Sequence, residues 1–132
     1  HPEGDALFHS LQVFSLAREE MAYDEDFLLA ALLHDIGKAI DPDDHIVAGL
    51  VALDGFISER TAWLIGHHME AHQIHDRTIG ARRRRRLASN PWFDDLCTLG
   101  QCDREGRVPG AEVDELEQAL DYIENIAEMF GP

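Results

Sequence analysis

Apolar residues recur along this chain at intervals of three and four, the period of a helix face, and nowhere keep the two-residue alternation of a half-buried strand. Leu7, Leu11 and Phe14 mark one stripe of a helix from Asp5 to about Met21, with Glu19 and Glu20 on its polar side and His9 on the flank of the stripe. Phe27 to Leu33 is apolar at every position, which predicts a helix buried all round. Asp24 suits its N-cap, Glu25 and Asp26 suit its positive end, and Gly37 can close it in the left-handed conformation. Asp41-Pro42 pairs a cap with a proline and predicts a helix holding His45, Val47, Leu50, Val51 and Leu53, closed by Gly55. Ser58 caps the next, which carries Ala62, Trp63, Ile65 and then His67-His68. A helix over Ile79 to Ala88 holds a run of arginines, and Asn90-Pro91 starts another through Trp92, Phe93, Leu96 and Leu99 to Asp103, ahead of Gly106. The last stripe is Val113, Leu116, Leu120, Ile123, Ala127 and Phe130. The prediction is an all-α bundle of about six or seven helices, with no internal repeat or low-complexity linker.

Composition sets the scale. With 132 residues, 45% of them hydrophobic, the chain is expected to form one domain over 1–132. It has no apolar run of the ~18 residues that spans a bilayer and no basic-then-apolar leader, so it reads as soluble and cytoplasmic with no membrane partner. It does not open on methionine, which leaves room for a short upstream segment or a larger parent protein. The net charge of −15 argues against a general polyanion binder, because nucleic-acid affinity depends on lysine and arginine meeting phosphates. The exception is Arg82 to Arg86. Successive arginines point to all sides of a helix, so most are solvated or paired, while one or two of Arg82, Arg83 and Arg86 can hold a substrate phosphate. Cys97 and Cys102 are expected to be reduced thiols.

The chemistry concentrates at Leu32-Leu33-His34-Asp35-Ile36-Gly37-Lys38. A buried helix that ends on an imidazole and a carboxylate needs something that binds both, and a divalent cation does so. Nitrogen and oxygen ligands suit Mn, Ni, Mg, Zn or Fe alike. Neighbouring helical residues point ~100° apart, so further ligands must come from distant sequence. Lys38 is the only lysine and stands three residues on, where it can offer a positive charge to a phosphate.

The order His9, His34-Asp35, His45, His67-His68, Asp103 resembles the H…HD…H…HH…D signature of the HD superfamily of metal-dependent phosphohydrolases, and His45 with Gly49 resembles its H-x-x-x-G element. His1-Pro2-Glu3-Gly4-Asp5 followed by His9, together with His68-Met69 and Phe93-Asp94-Asp95-Leu96, narrows the likeness to the HD domain of tRNA nucleotidyltransferases, the CCA-adding enzymes. The resemblance implies one metal held by His9, His34, Asp35 and Asp103, and a second held by His45, His67 and His68 with Asp35 bridging. Asp35 and Lys38 are then the catalytic residues. It implies hydrolysis of a phosphomonoester, or of a small cyclic or nucleotide phosphodiester, by metal-activated water. Two other readings share the same residues: a dinuclear-iron oxygenase, and a non-catalytic regulatory or RNA-associated module. Nothing here resembles the nucleotidyltransferase part, so tail addition is not carried over. The expected partner is a small phosphorylated substrate, with oligomeric state left open. His72 and His75 read as solvent-facing histidines near a helix end.

Overall fold

Asp24 caps the helix that the rest of the molecule packs around. The computed structural model describes residues 2–130, with side chains from Ala6 to Phe130, so the opening motif from His1 to Asp5 lies outside the described side chains. Among these residues are seven α-helices and no strand: α1 Pro2–Glu20, α2 Glu25–Leu33, α3 His45–Leu53, α4 Glu59–Asp76, α5 Ala81–Ala88, α6 Phe93–Glu105 and α7 Leu116–Phe130, with a 3-10 turn, Ile36–Ala39, between α2 and α3. This is the all-helical class and number that the periodicity predicts. No described helix is long and apolar enough to cross a membrane.

The α2 helix touches α1, α4, α6 and α7, and Phe27, Leu28, Ala30 and Ala31 are fully buried. Burial of that kind is worth roughly 1.5–3 kcal/mol for each large side chain. Asp24 accepts from the Phe27 amide at 3.0 Å and also takes a bidentate pair from Arg60 of α4, at 2.6 and 2.7 Å. Arg60 extends to Asp95 of α6 at 2.9 Å, so one guanidinium pins the starts of three helices. Although burial opposes ionisation, the arginine and the amides hold the Asp24 carboxyl below its ordinary value. Ser58 caps α4 as predicted, accepting from the Thr61 amide at 3.1 Å.

Three local expectations are corrected. Gly37 does not close α2 with a positive φ, since the described glycines with positive φ are Gly55 and Gly110. What Gly37 supplies is space. A Cβ there would lie 1.7 Å from the His45 carbonyl oxygen and 2.7 Å from the Gly49 amide nitrogen, so the 3-10 turn rests backbone-to-backbone on α3. That contact sets His45 beside the end of α2, and it gives the spacing from His45 to Gly49 a physical reason. Gly37→Ala is therefore expected to destabilise the domain by about 3 kcal/mol and to weaken cation binding, read by thermal melts with and without Mn. Unaltered melts would show that the turn can yield.

The second correction concerns Asp41-Pro42, which forms a turn in which Asp41 accepts from the Asp43 amide at 3.1 Å; α3 begins only at His45. The third concerns α7. Its buried line is Ala119, Ile123 and Ile126, while Leu116, Leu120 and Phe130 are exposed. Ala119 is fully buried on the side of α7 that packs against α2 and α1, and Tyr122 anchors the helix by donating to the Ala22 carbonyl at 2.6 Å. Both cysteines are free, and burial pushes the Cys102 thiol up to about 12.

Candidate metal centre

Five elements converge on Asp35. His9 comes from α1, His34 closes α2, Asp35 stands at the join to the 3-10 turn, His45 opens α3, His68 and His72 lie on α4, and Asp103 lies on α6. His9, His34, Asp35, His68 and Asp103 are all buried, a placement that polar groups take up only with partners.

The orientation of the imidazoles follows from their backbone contacts. His34 Nδ1 is 2.9 Å from the Ala31 carbonyl, His68 Nδ1 is 2.7 Å from that of Ile65, and His9 Nδ1 is 2.7 Å from that of Gly106. A carbonyl only accepts, so each Nδ1–H donates and the ring turns its Nε2 inward. This is the tautomer in which a metal-bound histidine is usually held. Gly106 makes the last of these contacts possible, because a Cβ there would meet Val13 at 2.8 Å and push α1 away.

The inward atoms fall into two groups that share one carboxylate. Asp35 Oδ2 lies 3.2 Å from His34 Nε2 and 3.9 Å from His9 Nε2. Asp35 Oδ1 lies 3.4 Å from His68 Nε2 and 3.9 Å from His45 Nε2. Within each trio, His9, His34 and Asp35 or Asp35, His45 and His68, the ligand atoms are all within 4.8 Å of one another. Asp103 joins the first group, with Oδ1 at 2.7 Å from His9 Nε2 and 3.3 Å from His34 Nε2.

The donor set fits a divalent cation. The Nε2 atoms of His34, His45 and His68 are buried and have no hydrogen-bond partner among the described residues. In the neutral form of His34 or His68, the inward nitrogen would turn a lone pair towards the lone pairs of a carboxylate. Such an arrangement is repulsive until a proton or a cation lies between them. Two imidazoles with two carboxylates on one side, and two imidazoles with the shared carboxylate on the other, match the nitrogen and oxygen preference of first-row divalent ions. The carboxyl groups of Asp35 and Asp103 are driven far below their ordinary values, because the neighbouring imidazoles outweigh the opposing effect of burial. Burial disfavours the His34 imidazolium, yet Asp103 and Asp35 overcome it and raise that pKa to about 9. The His45 pKa is lowered, by burial first and then by His68.

Residues 7–128 match the HD domain family. The chain belongs to that family. HD domains are in general metal-dependent phosphohydrolases that bind divalent ions, and among the described residues the trios around Asp35 could hold one.

Not every residue singled out by the sequence lies here. His67 points away from the centre, pairs with Glu70 and packs on the Trp63 ring at 4.7 Å between centroids. Adjacent helical residues cannot share a direction, and His68 takes the inward one. Arg82, Arg83 and Arg86 are exposed on α5, with Arg83 3.6 Å from Glu70. Arg84 sits over the Phe93 ring. Lys38 does reach the centre, 3.3 Å from Asp35 Oδ2, with its side chain about half exposed.

Sequence reasoning missed two residues. His72 Nε2 is 2.6 Å from Asp103 Oδ2, and Arg107 Nη2 is 3.5 Å from Asp103 Oδ1. The signal for His72 was its spacing of four from His68, which puts both on one face of α4. His72 acts as a positioning residue by fixing the Asp103 carboxylate. His72→Ala is expected to lower divalent-cation affinity about 10- to 100-fold with the helical content intact, as measured by chelator competition. An unchanged affinity would remove it from the site.

Proposed function

We propose that this HD domain hydrolyses a phosphomonoester, or a small cyclic or nucleotide phosphodiester, with the help of two divalent cations to both of which Asp35 would contribute. The observation that carries this reading is the division of labour within Asp35, each of whose oxygens faces its own pair of histidines. His9, His34, Asp35 and Asp103 would hold one ion, and His45, His68 and Asp35 the other. Bound there, the cations supply an acidified water and polarise the phosphoryl oxygens.

The remaining work belongs to the chain. His34 and His68 donate from Nδ1 to backbone carbonyls, which holds each ring with its Nε2 turned inward. Lys38 holds a phosphate oxygen as a point charge at the half-exposed mouth and eases the departure of the oxyanion. Arg107, beside Asp103 with an exposed side chain, is better placed for a second phosphate contact than Arg82, Arg83 or Arg86. In the overall step a water oxygen bonds to phosphorus as the ester P–O bond breaks, and the water proton ends on the departing alcohol.

The likeness to the HD domain of CCA-adding enzymes supports 2′,3′-cyclic phosphates among the first substrates to try. The net charge of −15 favours a small phosphorylated substrate over a nucleic acid, because the chain's one run of basic residues is Arg82 to Arg86. The deciding experiment is hydrolysis of 2′,3′-cyclic nucleotides and phosphomonoesters by metal-free protein resupplied with Mn, Ni, Mg, Zn or Fe. Restored by one of these ions, ring opening of the cyclic nucleotide to a nucleoside monophosphate, or phosphate release from the monoester, is expected. Turnover that requires oxygen would replace the reading with the iron oxygenase, and salt-sensitive tRNA binding without turnover would replace it with the RNA-associated module.

A further inference from the structure

A cavity of about 650 Å³ opens directly against the proposed centre, with Asp35 and Lys38 in its wall. That volume falls in the range of sites that enclose a small molecule. Most of its wall is hydrocarbon. Leu7 comes from α1, Leu32 and Leu33 from α2, Ile36 from the 3-10 turn and Leu116 from the start of α7. Leu7, Ile36 and Leu116 are 43%, 38% and 39% exposed, so three elements each leave a large aliphatic side chain in solvent around one opening. Scattered exposed leucines need no explanation, whereas aliphatic side chains converging on a cleft mark a place for an apolar group.

We infer that the ligand of this cleft is a phosphate ester whose alcohol portion is an aliphatic or alicyclic hydrocarbon, seated in the cavity with its phosphate at Asp35 and Lys38. The inference rests on the phosphohydrolase reading for the phosphate end and on the cavity wall for the other. The same wall argues against a nucleoside. Among the described residues no aromatic ring lines it to stack on a base, and apart from Asp35 and Lys38 the polar side-chain group among them is the Ser10 hydroxyl. A base buried there would leave most of its donors and acceptors without partners. A hydrocarbon chain carries no such penalty and gains affinity with every methylene withdrawn from water.

The test uses non-hydrolysable n-alkyl phosphonates, ethyl through octyl, titrated calorimetrically into the Mn-loaded protein, alongside turnover of the matching alkyl phosphates. Affinity is expected to rise about fivefold to tenfold for every two methylenes up to hexyl. Hexyl phosphonate is expected to bind more tightly than adenosine monophosphate. Leu7→Ser and Leu116→Ser, at exposed positions that the core does not need, are expected to flatten the dependence on chain length. A dissociation constant indifferent to chain length, or tighter binding of adenosine monophosphate than of hexyl phosphonate, overturns the inference. If ethyl phosphate is nonetheless hydrolysed, the phosphohydrolase reading survives that result. A steep chain-length dependence with no turnover of any ester supports the hydrocarbon site and removes the hydrolase reading.

Discussion

Asp35→Asn is expected to lower kcat/KM for any phosphoester substrate at least about a thousandfold, roughly 4 kcal/mol in activation free energy, while leaving the helices in place. The size of the effect follows from the shared position of the residue. Its Oδ2 serves the His9 and His34 side and its Oδ1 the His45 and His68 side, so one substitution removes a ligand from both groups. Asparagine keeps the shape of the carboxylate but not its charge, and half of its head group becomes a donor aimed at cations. Bound Mn measured after gel filtration is expected to fall from two ions per chain towards none, with the far-ultraviolet circular dichroism unchanged. Retention of two ions and of turnover would sink the bridging role.

A contrast with Lys38 sharpens the expectation. Lys38 touches the same Oδ2 at 3.3 Å but is about half exposed, so its charge is screened and its loss leaves both sets of ligands standing. A residue that sits in both groups and a residue that only borders one are therefore distinguishable by metal content alone.

The parts of this molecule legible in the sequence are those that depend on local chemistry. Asp24 and Ser58 cap helices because their side chains reach amides three residues on, a rule that needs no knowledge of the tertiary fold. The all-apolar run from Phe27 to Leu33 announced a central helix for the same kind of reason, since such a helix has no face to offer water. The candidate ligands His9, His34, Asp35 and Asp103 follow from order along the chain, and the structure brings all four together. What order could not supply is direction. His67 and His68 are equivalent as letters, and only the rotation of α4 against α2 decides that His68 turns inward while His67 goes to Glu70 and Trp63. His72 was hidden by the same uncertainty, although its spacing from His68 held the answer. Gly37 is a subtler case, because a glycine after a helix suggests a backbone conformation, and its need for space appears only when the His45 carbonyl is seen against it.

In the metal-free domain, stability is expected to fall as pH rises from about 6.5 to 9, and divalent cations are expected to reverse that trend. The sign follows from His34. Its pKa is raised from 6.5 to about 9 in the folded state, so its contribution is complete below about 6.5 and fades as pH climbs through 9. The corresponding free energy is about 3 kcal/mol, equivalent to a drop of roughly 10 °C in Tm for a domain of this size. Asp35 and Asp103 act in the opposite range. Their pKa values are depressed, so their contribution is present above about 4 and lost only as pH falls below it. Metal-free protein is therefore expected to be most stable between about pH 4 and 6.5. A cation competes with the proton shared among His34, Asp35 and Asp103, so its stabilising increment grows as protons leave. At a free concentration a thousand times the dissociation constant that increment reaches about 4 kcal/mol, enough to offset the loss of the His34 contribution. Melts at pH 5.5, 7.0 and 8.5 with and without Mn test both halves. A metal-free Tm indifferent to pH across 6 to 9 would remove the proton from its place between the imidazole and the carboxylates, and a cation effect largest at pH 5.5 would separate the binding site from this cluster altogether.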